Sequence, residues 1–225
     1  MAVDFCVISI GTLSRNRLWG EAAPLRTAHA TTTLVTAGQR LVLVDPSLPA
    51  AALAARFGER TGRALADVTD VFCTTLRPVH RRSIGAMPDA AWWTHADELA
   101  AYRRHLEELK GSAERLDPTD AEAVDDDLRL LDRFRAAPEQ FDEQVTVYPM
   151  AGPSPGSAGL LLTPPTMTVV IPGDAAIPAA HVRRGQVWEG CADTEAALRT
   201  LRDCLELADV LVCGHDNVLV LPGKW

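Results

Sequence analysis

Apolar and polar positions along this chain fall into two successive rounds of strands and helices. Asp4 to Thr12 is an apolar, β-branched run and predicts a first strand, followed by a polar loop from Asn16 to Ala28. Thr31 to Thr36 and Leu41 to Val44 predict two strands joined by a hairpin turn at Ala37-Gly38-Gln39-Arg40. Pro49 to Arg60 is Ala-rich with apolar residues at helical spacing, and Pro49 suits a first turn, where its missing N–H costs nothing. Asp67 to Thr74 and Ala90 to Thr94 predict further strands. Ala96 to Lys110 predicts a helix stopped by Gly111, and Asp117-Pro118 starts another that runs to about Arg135. The second half repeats the plan. Val145 to Tyr148, Ala158 to Leu162, Met167 to Ile171 and Val210 to Cys213 read as strands. Thr194 to Leu207 reads as an amphipathic helix with Leu198, Leu201 and Leu205 on one face. Strands followed by helices, twice over, predict an α/β protein whose helices cover its sheets.

The length of 225 residues fits a single domain, 1–225. A hydrophobic content of 47% and a charged content of 23% are those of a folded chain. The formal net charge of −8 repels phosphate backbones, so no nucleic-acid partner is expected. No apolar run is long enough to span a membrane, and Asp4 interrupts any signal-like start, so a cytoplasmic protein is expected. Cys6, Cys73, Cys191, Cys204 and Cys213 form no Cys-x-x-Cys pair and read as free thiols in a reducing compartment.

The chemistry concentrates in five segments. Thr74-Thr75-Leu76-Arg77-Pro78-Val79-His80 follows the apolar Val71-Phe72-Cys73. It resembles the Thr-His-x-His-x-Asp-His motif of the metallo-β-lactamase-fold hydrolases with most ligands replaced. Leu41 to Pro46 is similar to that family's early strand closing on a structural Asp, here Asp45. Ala151 to Ser157 is similar to its Pro-Gly-His-x-Pro-Gly-Ser turn, with Pro153 where the His would be. Val169 to Asp174 is similar to the strand ending in the metal-bridging Asp, and Val210 to Asp216 to the final strand ending in Gly-His. The resemblance covers roughly Thr31 to Asn217 and implies a four-layer αβ/βα sandwich with ligands at one edge of its two sheets.

The resemblance also implies which ligands remain. The first metal would be held at Thr75, Arg77 and Pro153, none of which is a useful zinc ligand. The second would be held at Val79, His80, Asp174 and His215, of which only Val79 is lost. Two imidazoles and a carboxylate form a competent triad for one divalent metal: zinc, manganese or iron. In a second register, aligned on Ile84-Gly85, His80 would fall to the first site and the survivors would be split. The cofactor expectation is therefore none or one divalent metal. Arg77, a permanent cation, stands where it could replace a metal beside Asp174. Arg81 and Arg82 read as exposed charges; with Arg77 they could meet a small anionic ligand at the cleft rim. Two function classes stay open: a non-catalytic member with the two-metal centre lost, and a single-metal hydrolase on His80, Asp174 and His215.

Other features read as bland. Asp125-Asp126-Asp127 lacks the spacing and glycine of a calcium loop and reads as a solvated helix face. His29, His95, His105 and His181 read as structural or surface residues. Ser154 and Ser157 lack a nucleophile elbow, and no Walker or Rossmann glycine motif occurs.

Overall fold

The computed structural model of the protein describes residues 3–111 and 117–221. Strands β1 (Asp4–Ser9), β2 (Thr32–Ala37), β3 (Arg40–Val44), β4 (Asp70–Phe72), β5 (Ala91–Thr94) and β6 (Phe134–Ala136) form one six-stranded sheet in chain order. Its first three strands are antiparallel, and β3 to β6 run parallel. Helix α1 (Ala50–Thr61) crosses from β3 to β4, and helices α2 (Ala96–Gly111) and α3 (Pro118–Leu131) cross from β5 to β6. Strands β7 (Gln140–Asp142), β8 (Val145–Pro149), β9 (Ala158–Leu162), β10 (Val169–Ile171), β11 (Val210–Val212) and β12 (Val218–Val220) form a second sheet of six, in which β10 and β11 are parallel. The short helix α4 (Ala179–Val182) and α5 (Thr194–Leu207) connect β10 to β11.

The alternation of side chains along single strands sets the layers. In β3, Leu41 and Leu43 pack outward with Leu53 and Phe57 of α1, while Val42 and Val44 pack inward. In β10 and β11, Val170 and Leu211 pack outward with Leu201 and Cys204 of α5, while Val169, Ile171 and Val212 pack inward. The inward residues of both sheets share one core with Val35, Phe72, Leu160 and Leu162. Strands buried on both faces read as continuous apolar runs, as these do. The result is a four-layer αβ/βα sandwich.

Three strands depart from the expected pattern. The helix predicted to reach Arg135 ends at Leu131, and Phe134 instead pairs with Trp92 beside β5. Pairing with a distant strand overrides local helical preference there. Strands β6, β7 and β12, three residues each, fall outside the strands predicted from the sequence. Helix α2 runs through Gly111, and the segment after it lies outside the described residues.

The connections after β4, β10 and β11 meet closely. Gly173 has φ 56, and a Cβ there would lie 2.2 Å from Thr74 Oγ1. A Cβ on Gly214 would lie 2.2 Å from the Gly173 carbonyl oxygen. These glycines let three loops from two sheets share one point. Gly173→Ala therefore combines strained backbone with a clash, and an unfolding free energy lower by about 2–4 kcal/mol is expected. Denaturant titration of wild type and variant checks this; an unchanged midpoint would contradict the close-approach role.

Candidate metal centre and cleft

Asp45, Thr74, His80, Asp174 and His215 converge at the carboxyl ends of the parallel strands β3, β4, β10 and β11, where open α/β sheets place ligand sites. Asp45 closes β3 with φ 50, a left-handed conformation that Asp tolerates better than most residues. Its carboxylate accepts from the Thr74 backbone N–H at 2.9 Å and the Thr74 hydroxyl at 2.7 Å. It also lies 3.0 Å from His80 Nδ1. A helical turn over Pro78–His80 carries His80 inward until it is fully buried.

Asp174, 5% exposed, is the hub. Its Oδ1 faces His80 Nε2 at 3.2 Å and His215 Nε2 at 3.0 Å. Its Oδ2 accepts from Arg77 Nη1 at 2.5 Å. His215 Nδ1 faces the carbonyl oxygens of His29 at 2.9 Å and Thr12 at 3.2 Å. The two imidazoles meet edge to face, with ring centroids 5.7 Å apart.

This donor set fits one divalent cation. Each Nδ1 faces an oxygen acceptor, so in a neutral ring the proton belongs there and the Nε2 lone pair turns toward Asp174 Oδ1. The three ligand atoms lie within 4.8 Å of one another. The remaining positions implied by the resemblance do not offer zinc donors. Thr75 is buried and donates its hydroxyl to Glu98 at 2.7 Å. Val79 is apolar. Arg77 Nη2 donates to the Pro153 carbonyl at 2.5 Å and to that of Gly190 at 3.2 Å, and its guanidinium stacks on Trp188 at 4.5 Å.

Without a metal, protons balance the charges. Burial alone would lower the His80 pKa, but the charges of Asp174 and then Asp45 raise it to about 10. Burial would raise that of Asp174, but His80, assisted by the hydrogen bond from His215, holds it well below the usual carboxylate range.

Above this floor opens a cleft of about 900 Å³, lined by Arg77, Val79, Asp174 and His215 and walled by Leu13, Leu18, Ile177, Val187 and Trp188. Arg15 and Arg17 reach Glu189 across its mouth at 2.6 and 2.7 Å. A smaller cavity of about 420 Å³ lies on the other side of Arg77 and is lined by Thr75, Glu98, Tyr102 and Ser154. Three of the altered positions are divided between the cavities: Arg77 borders both, Thr75 faces the smaller and Val79 the larger.

Two expectations need correction. Arg81 is 7% exposed and lines neither cavity. It donates to the Leu76 carbonyl at 2.7 Å and pairs with Asp127 of α3 at 2.6 Å, so its charge is spent inside the fold. Asp127 correspondingly leaves the solvated face, while Asp125 and Asp126 remain there, paired with Lys110 and Arg129. Arg82 donates to the Ala28 carbonyl and also lies outside both cavities.

Glu98 was invisible in the sequence. This buried carboxylate accepts from the Thr75 and Ser154 hydroxyls and from the N–H groups of Leu76 and Gly156. Its position in the first turn of α2 carries a weak helix-start signal, and nothing in its spacing marks its partners. Trp188 and Glu189 likewise lie in a segment without periodicity.

The sign of the pH dependence follows from the two shifts. His80, raised from 6.5, stabilises the fold fully below pH 6.5, and this contribution is lost as pH rises through about 10. Asp174, lowered from 3.8, stabilises it above pH 3.8, and this is lost as pH falls through its depressed value. The thermal midpoint of metal-free protein should be highest between about pH 4 and 6.5 and fall toward pH 10. His80→Gln should flatten the alkaline limb. Calorimetry across pH checks both, and identical alkaline limbs would show that His80 does not carry this charge.

Neither a family model nor a curated protein matches the chain in sequence. Solved structures do match it in shape. A Thermotoga maritima protein classed with the metallo-β-lactamases superposes with a TM-score of 0.70 at 17% identity, covering 98% of this chain and all of that one. AidC, a dizinc quorum-quenching lactonase, gives a TM-score of 0.65 at 15% identity over 87% of this chain and 80% of its own. A variant of AiiA from B. thuringiensis, with N-decanoyl-L-homoserine at its active site, gives 0.65 at 17% identity over 96% and 94%. The expected four-layer sandwich agrees with these structures in fold. This chain is a divergent protein of the metallo-β-lactamase fold.

Proposed function

We propose that this protein has lost the two-metal centre of its fold and uses the remaining cleft to bind a small ligand, with weak or no classical hydrolase activity. The contact of Arg77 with Asp174 carries this reading. By the resemblance, Asp174 and the Pro153 turn would flank the first metal; here one guanidinium bonds to both. It is a permanent cation and needs no metal to neutralise the buried carboxylate. Thr75, the other altered position, is already engaged by Glu98. Two-metal hydrolysis stabilises both the attacking and the leaving oxygens, and Val79 offers no carboxylate to orient water. Losing one such contact costs about 10²–10³ in rate, and several are missing together. Five free thiols, three of them buried, support the expectation of a reducing, cytoplasmic compartment.

The convergence of His80 and His215 on Asp174 Oδ1 favours a second reading. These three residues would hold one zinc, manganese or iron ion, which when bound would supply Lewis acidity to a carbonyl or phosphoryl group. Around it, His29 and Thr12 carbonyls and Asp45 would keep both imidazoles oriented, and the apolar cleft walls would exclude water. A lactone, of the kind cleaved by AidC, is one substrate class for that reading.

Metal analysis by plasma mass spectrometry, after purification without added metal, decides between them. The expected result is a metal content well below one equivalent. Turnover of lactone, lactam, thioester and phosphodiester substrates should stay near background with or without zinc, manganese or iron(II). One equivalent of metal, with turnover lost in His215→Ala and Asp174→Ala, would establish the second reading. Two tightly bound equivalents would overturn the loss of the two-metal centre itself.

A further inference from the structure

His181 differs from the other buried histidines. It lies on α4, is 9% exposed and lines the main cleft. Every ring nitrogen of His80 and His215 faces an oxygen. In contrast, His181 Nδ1 is buried without a hydrogen-bond partner, and the ring makes no side-chain hydrogen bond among the described residues. Burial and the charge of Arg184 lower its pKa, so the ring is neutral near pH 7. A neutral imidazole carries one proton. An enclosed N–H left unpaired is rarer and costlier than a bare lone pair, so the proton belongs on Nε2, the nitrogen that is not enclosed. The cleft wall thus presents an unused hydrogen-bond donor.

The surroundings narrow what would use it. Leu13, Leu18, Ile177, Val187 and Leu198 make most of the wall apolar. Charged residues lining the cleft are Arg15, Arg17 and Arg77 against Asp174 and Glu189, an excess of one positive charge in a chain whose formal charge is −8. Arg77 is matched by Asp174, so the excess lies at the mouth, where two arginines share one carboxylate. Arg17 Nε lies 2.7 Å from Glu189, and its amino groups make no hydrogen bond among the described residues. A hydrogen-bond donor, a net positive rim and apolar walls complement one kind of ligand.

We propose that the cleft binds an amphipathic organic monoanion, in chemical class a medium-chain carboxylate, with its apolar body against these walls and its carboxylate received by His181 and the arginine rim. This rests on the metal-free binding reading above. The rim repels an alkylammonium ion of the same length, and a short carboxylate lacks the apolar surface to fill the walls.

Octanoate is the probe, titrated by calorimetry into the full chain with EDTA present. Saturable binding at one site is expected. Binding should weaken at least about fivefold in His181→Phe and in Arg17→Ala, and stay within about twofold in His181→Gln, which keeps a donor. Octylamine and butyrate should bind at least about tenfold more weakly than octanoate. Circular dichroism and thermal melting confirm that each variant folds, and Arg17→Ala, on an exposed side chain, tests the proposal even if His181→Phe does not fold. Octylamine binding as well as octanoate, or folded variants binding as wild type does, would overturn it. Octanoate binding that appears only when zinc replaces EDTA would instead overturn the metal-free reading. Failure to bind under either condition, in protein of low metal content, would remove the ligand class and leave that reading standing.

Discussion

Asp174 is buried at the end of β10, and a carboxylate in that place is costly unless cations or donors surround it. Much of the local architecture follows from that requirement. The turn at Gly173 brings the carboxylate beneath the loops after β4 and β11, and His80, His215 and Arg77 close around it from three directions. His80 is in turn held between two carboxylates, Asp45 and Asp174, which keeps it charged despite complete burial. The centre is therefore a chain of alternating charges running from the first sheet to the second. It fastens the two halves of the sandwich where their strand ends would otherwise leave polar groups unpaired.

Glu98 solves a related problem without a cation. Four neutral donors satisfy its carboxylate, two from the loop after β4 and two from the loop before β9. Its place in the first turn of α2 adds the favourable field of a helix N-terminus. A Cβ on Gly156 would lie 2.0 Å from the Glu98 backbone nitrogen, so the second loop packs directly against that turn. Thr75, which reads in the sequence as a replaced ligand, and Ser154 are thereby part of a complete polar network. Arg77 stands between the two carboxylate systems and separates the cavities they border.

The fold was legible because its signals are redundant. Apolar runs around β3, β9, β10 and β11 stand out and are buried on both faces, and five motif segments recur in a consistent order. The three-residue strands β6, β7 and β12 were not legible, because they exist through pairing rather than through any pattern of their own. Arg81 shows the same limit for a side chain. Beside Arg82 it reads as a surface charge, yet Asp127, far along the chain, draws it inside.

By itself, the sequence determined residue types: threonine, arginine, valine and proline stand at four positions where the resemblance implies ligands, and residue type alone excludes them as zinc donors. In the same resemblance, two imidazoles and one carboxylate remain. Only the tertiary structure decided who neutralises whom. Oδ2 of Asp174 goes to Arg77, Oδ1 is shared by two histidines, and His181 is left with a nitrogen unpaired among the described residues, beside an apolar cleft. Such partnerships join residues up to about a hundred positions apart in the chain, and their strength depends on distance and burial, which no local pattern of residues encodes.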